Sequence, residues 1–125
     1  MKRDMELIRK ILFAIEEKYK PGDGVLFGLS IEGFDMAVTA EHCSLLYQKG
    51  LISAYKPLYA DNTVYAFSVG NLTSSGYEYL ELIRNENVWE KTKEEVEKKQ
   101  LPKTIETIAK IAGVFTGNML KELTG

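Results

Sequence analysis

The spacing of apolar residues changes twice before Gly50, and this restricts the chain to a mixed α+β fold. Met5, Ile8, Ile11, Leu12, Ile15 and Tyr19 fall on one helical face at a period near 3.6, with Arg9, Lys10, Glu16 and Glu17 opposite. Asp4 is placed to cap that helix. Lys20-Pro21-Gly22-Asp23-Gly24 joins a fixed φ to residues tolerant of positive φ, so the helix stops there. Val25, Phe27, Leu29 and Ile31 then alternate with Leu26, Gly28, Ser30 and Glu32, which predicts a strand whose first set is the more buried, ending at Gly33. Helical spacing returns with Val38, Leu45 and Leu46, with Asp35 or Thr39 as cap and Gly50 as terminator.

Leu51 to Tyr59 and Thr63 to Val69 are rich in β-branched and aromatic residues and flank a turn at Ala60-Asp61-Asn62, so they predict a hairpin. A helix capped at Thr73 runs through Leu80 and Ile83 to about Asn85. Asn87 with Glu90 resembles a capping box and opens the next helix, which carries Trp89 and Val96 beside Glu94–Lys98 and Glu95–Lys99 pairs. Leu101-Pro102 breaks it, and a last helix is expected over 102–123. Together these elements predict a domain over 1–86 and a helical extension over 87–125, with neither internal repeats nor low-complexity segments.

A chain of 125 residues buries enough surface for a core without disulfides or metals. Its net charge of -2 gives no global positive field to recruit nucleic acid or anionic lipid. The single cysteine, Cys43, suits a reducing compartment, and charges at Glu6, Arg9 and Lys10 interrupt any signal-peptide core, so a cytoplasmic protein is expected. No stretch approaches the ~20 apolar residues of a membrane helix. Without export, Asn71-Leu72-Thr73 is a chance match to a glycosylation acceptor.

The order helix, strand, helix, hairpin, helix, with Leu-Tyr-Gln-Lys-Gly-Leu-Ile at 46–52 and Leu-Thr-Ser-Ser-Gly-Tyr-Glu-Tyr-Leu at 72–80, resembles winged-helix proteins, in which the hairpin is the wing. More specific are Met1-Lys2-Arg3-Asp4-Met5-Glu6-Leu7-Ile8-Arg9, His42-Cys43-Ser44-Leu45-Leu46 before Gly50-Leu51-Ile52, and Val88-Trp89-Glu90-Lys91. Over about residues 1–95 the chain thereby resembles the family called domain of unknown function 2513. That resemblance implies a bacterial or bacteriophage protein of winged-helix type with no assigned activity and no catalytic residues. The chain departs from the family pattern at Ser75, where Trp stands, and the segment after Leu101 matches nothing in it.

No catalytic constellation, metal site or cofactor is expected. His42 and Cys43 are neighbours, so on a helix they point about 100° apart and do not serve as base and nucleophile. His42 instead joins the Val38, Leu45 and Leu46 face as a core residue bonded to backbone. Gly22-Asp23-Gly24 lacks the Gly-Lys-Ser/Thr of a phosphate loop. The acidic residues alternate with basic ones at helical spacing and mark solvated faces. Tyr55, Tyr59 and Tyr65 on the hairpin suggest a base-stacking platform, but with only Lys56 nearby they are better read as cross-strand packing.

Residues 35–70, which include the candidate recognition helix and wing, carry Lys49 and Lys56 against Asp35, Glu41 and Asp61, a net charge of -1. Specific DNA binders typically neutralise on the order of six to ten phosphates, which this segment cannot do. Lys2, Arg3, Lys49 and Lys56 are the candidate nucleic-acid contacts. Phe34 to Lys49 is also short for two helices and a turn, so one helix or a stub plus helix is expected. In the last helix Ala109, Gly113 and Gly117 recur every four residues as a row of small side chains. With Ile105, Ile108, Ala112 and Phe115 beside it, that row is the candidate contact for a partner or a second copy. The expected function is a non-catalytic protein-interaction module without a small-molecule substrate, the alternative being a DNA-binding transcriptional or phage regulator.

Overall fold

The computed structural model describes residues 2–124; Met1 of the opening motif and Gly125 of the extension lie outside them. The described residues form α1 (Met5–Lys18), β1 (Leu26–Phe27), α2 (Met36–Gln48), β2 (Tyr55–Ala60), β3 (Thr63–Val69), α3 (Ser74–Arg84), α4 (Glu86–Lys99) and α5 (Ile105–Thr124). The fold is thus mixed α+β. Two compact units, Met1–Tyr77 and Glu78–Gly125, divide within α3.

In the first unit, Asp4 caps α1 through its carboxylate, which accepts from Leu7 N at 3.1 Å. Leu7, Ile11, Leu12 and Ile15 are fully buried, each contributing roughly 1.5–3 kcal/mol through removal from water. Leu7, absent from the expected face, completes a Leu7–Ile11–Ile15 row at four-residue spacing. Asp35, and not Thr39, caps α2, accepting from Val38 N at 2.8 Å. The segment from Phe34 to Lys49 holds one helix, and Gly50 ends it at φ +74°. Leu51 N donates to Leu46 O at 2.9 Å and Gly50 N to Tyr47 O at 3.0 Å, the paired bonds of a Schellman motif. Val38, placed on the buried face by its spacing, is 37% exposed, and small Ala40 and Cys43 are buried instead.

The antiparallel sheet has the order β1-β3-β2. β1 is two residues long and not the strand expected over 25–32, because Gly28 at φ +71° turns the chain out of the sheet. Residues 51–54 also lie outside the strands; there Ile52 forms an isolated bridge to Leu72. The hairpin turns on two residues and not three: Asp61 and Asn62 have φ +52° and +62°, the double left-handed turn that fits the strand twist. On the inner face Tyr55 packs against Phe67 with ring centroids 6.0 Å apart.

His42 is fully buried. Asp4 N donates to its Nε2 at 2.9 Å, which leaves the ring proton on Nδ1, 2.8 Å from Val38 O. One imidazole therefore ties the start of α1 to α2. His42→Ala is expected to lower unfolding stability by about 1–3 kcal/mol, because it removes the partner of the half-buried Asp4 amide and opens a void. Urea unfolding of the variant reads this directly; a change below about 0.5 kcal/mol contradicts a structural role.

In the second unit Asn85 caps α4, accepting from Val88 N at 3.1 Å, so the helix begins two residues before the expected Asn87 cap. Val88, Trp89, Thr92 and Val96 are its buried face, with Thr92 Oγ1 bonded back to Val88 O at 2.7 Å. Gln100 in the left-handed region ends it. Thr104 Oγ1 accepts from Thr107 N at 3.1 Å and starts α5, which runs unbroken through Gly113 and Gly117. The charge run is solvated, with Lys99–Glu95 at 3.3 Å and Lys93–Glu90 at 3.1 Å.

Candidate functional site

The sheet has one face turned away from the core, and its side chains follow from the register. Phe27 pairs with Ser68, and Ser68 with Lys56 on its other side, so these three stand in a row across the sheet. Leu58 opposite Ala66 forms the next row. Phe27 is 76% exposed and Leu58 50% exposed. Alternation from Val25 to Ile31 predicts Phe27 on the buried side; the register instead sets Leu26 against buried Val69, which turns Phe27 to the opposite face. These residues line a groove of about 290 Å³ in which Lys56 is the one charged residue. Tyr59 and Tyr65, near the turn, are also exposed.

The candidate nucleic-acid contacts sit on separate elements. Lys2 and Arg3 precede α1, Lys49 is the C-cap of α2, and Lys56 lies in β2. Within Met36–Gln48 there is no Lys or Arg at all, and its exposed large side chains are Met36, Val38 and Tyr47. The hairpin turn presents Asp61 and Asn62.

In α5, Ile105, Ile108 and Ala112 are buried, whereas Ala109, Gly113, Phe115 and Gly117 keep partial access. A Cβ added at Gly113 or Gly117 meets nothing within 4 Å, so the small-residue row faces open space. Phe115 borders a shallow cleft of about 240 Å³ between α4 and α5, with Lys91 and Glu122 on its rim.

Both ring nitrogens of His42 are engaged by backbone, and the adjacent Cys43 is buried, its thiol pushed up to about 12 by loss of solvation. A neutral thiol beside an occupied imidazole has no means of nucleophilic attack. Among the described residues no three His, Cys, Asp or Glu side chains gather where they would hold a metal ion, and no helix is long and apolar enough to cross a membrane.

A family model described as "Hypothetical protein (DUF2513)" matches residues 2–102. An uncharacterized protein of Haemophilus influenzae is 32% identical over 120 residues, which is 96% of this chain and 99% of the relative. The family match stops at Pro102, in line with the expectation for the last segment, whereas the similarity to this relative continues past it into α5. No solved structure matches the chain.

Proposed function

The chain belongs to the DUF2513 family of hypothetical proteins, and from that premise we propose that it is a non-catalytic protein-interaction module on a winged-helix scaffold, acting in the cytoplasm of a bacterium or its phage. In this reading α2 stands where a recognition helix would and the β2–β3 hairpin is the wing. The observation that carries it is the character of those surfaces. The open side of the sheet is apolar with Phe27 and Leu58 exposed, and α2 contains no Lys or Arg. An apolar surface gains by excluding water against another protein, whereas a phosphate backbone selects clustered Lys and Arg. The DNA-binding regulator draws on the element order alone, and scaffold does not decide function.

Titration of the full chain with random and genomic DNA across several salt concentrations tests the proposal. No binding tighter than about 10⁻⁷ M is expected at physiological salt. Tighter binding with a steep salt dependence, lost in a Lys2→Ala, Arg3→Ala, Lys49→Ala, Lys56→Ala variant, establishes the regulator instead.

A further inference from the structure

We propose that the outward face of the sheet receives an amphipathic helix of a partner protein, laid along β3 with its apolar stripe over Ser68 and Ala66 and an acidic side chain at the edge of that stripe against Lys56. This rests on the interaction-module reading and names its surface and the chemistry of its partner.

α2 packs against the other face of the sheet, where Phe67 and Val69 are buried. A sheet face left to water ordinarily carries polar residues at its outward positions. Here Phe27, Leu58 and Ala66 occupy such positions. The face has the composition of a covered layer, and a helix is a standard cover for an antiparallel sheet. A further strand in the plane of the sheet does not fit, because the register leaves Tyr65 without a partner on β2 and that bulge interrupts the free edge of β3.

The dimensions of the patch select a helix. The row Phe27, Ser68, Lys56 spans two strand spacings, about 10 Å, which is the width of one helix. Its centre is the low point: Ser68 and Ala66 on β3 are small, while Phe27 stands on the β1 side and Lys56 and Leu58 on the β2 side. Ser68 and Ala66 are two strand residues apart, roughly 7 Å, close to the ~6 Å rise between helix residues i and i+4. A helix running along β3 thus sets two side chains of one stripe into the trough and meets both flanks at once.

Lys56 decides the charge of the partner. It is exposed, shares the outward face with Leu58 and is the one charged residue lining the groove. Among the described residues it forms no ion pair. An element lying on the face reaches it from above, without displacing Phe27 from its place beside β3. A cation bordering an apolar trough is complementary to a carboxylate bordering an apolar stripe. The fitting helix therefore has apolar residues at i and i+4, with an Asp or Glu beside them on the β2 side.

Panning a library of peptides of about fourteen residues, marginally helical on their own, on the full-length chain tests this, followed by titration of the enriched peptides. Enrichment of an apolar i, i+4 stripe with a flanking acid is expected, with a gain of helical circular dichroism on binding and shifts of the Leu58 and Ala66 methyl resonances. Lys56→Glu, a change at an exposed side chain, is expected to weaken binding by at least about tenfold, and replacing the peptide's acidic residue by lysine to restore it. Peptides that bind without gaining helix, shift only residues elsewhere, or bind Lys56→Glu equally well overturn the assignment of a helix to this face while leaving an interaction module in place. No enriched peptide overturns that assignment as well, and DNA binding in the same buffer overturns both readings.

Discussion

Trp89→Ala is expected to lower unfolding stability by about 3–5 kcal/mol, the range for removing a large aromatic from a packed interior. Trp89 is the single tryptophan and is 0% exposed. Its helix is polar on the remaining sides, so Val88, Thr92 and Val96 are the only other buried residues that fasten α4. Guanidinium unfolding followed by far-ultraviolet circular dichroism measures the loss. In the parent chain, Trp89 emission should be blue-shifted and move to the red on unfolding. A loss below about 1 kcal/mol, or water-like emission in the native state, contradicts the burial.

Gly76→Ala is expected to be destabilising by about 3 kcal/mol, at the upper end of overpacking effects, although alanine is the better helix former. A Cβ on Gly76 would overlap the Leu51 carbonyl oxygen and lie 3.1 Å from its carbon. Leu51 cannot yield, since its amide is bonded to Leu46 O and its carbonyl accepts from Thr73 N at 3.0 Å. Gly113→Ala is the contrast, because its added Cβ meets nothing within 4 Å, and a gain of up to about 1 kcal/mol is expected. Thermal and urea unfolding of both variants read the opposite signs. Equal stability of Gly76→Ala and the parent would show that this close approach does not exist.

The elements that were legible in the sequence are those whose signals are local. Asp4 and Asp35 cap their helices, Gly50 terminates α2, and His42 is buried with backbone partners, because capping and chain reversal depend on a few adjacent residues. Asn85 and Asn87 are both good caps by residue type, and only the packing of Val88 and Trp89 fixes the phase that makes Asn85 the cap. The groove was not legible, since alternation from Val25 to Ile31 puts Phe27 with the buried set. Its exposure depends on Gly28 adopting positive φ and on a non-local register that sets Phe27 against Ser68. The row in α5 was legible as a pattern, but which of its neighbours are buried depended on how α5 meets α4.

The hairpin is fastened very differently at its two ends. At the foot, Ser53 N bonds to Asn71 O, Gly70 N to Ala54 O and the Thr73 hydroxyl to Gly50 O, while Ile52 bridges Leu72. At the other end, Tyr59, Ala60, Asp61, Asn62 and Thr63 are all exposed. Fraying therefore starts at the turn and stalls before it reaches the foot, because each further rung toward it is braced by the ends of α2 and α3. The outer half of the ribbon can bend or re-pair while both helix ends stay fixed, a hinged arm on a clamped base.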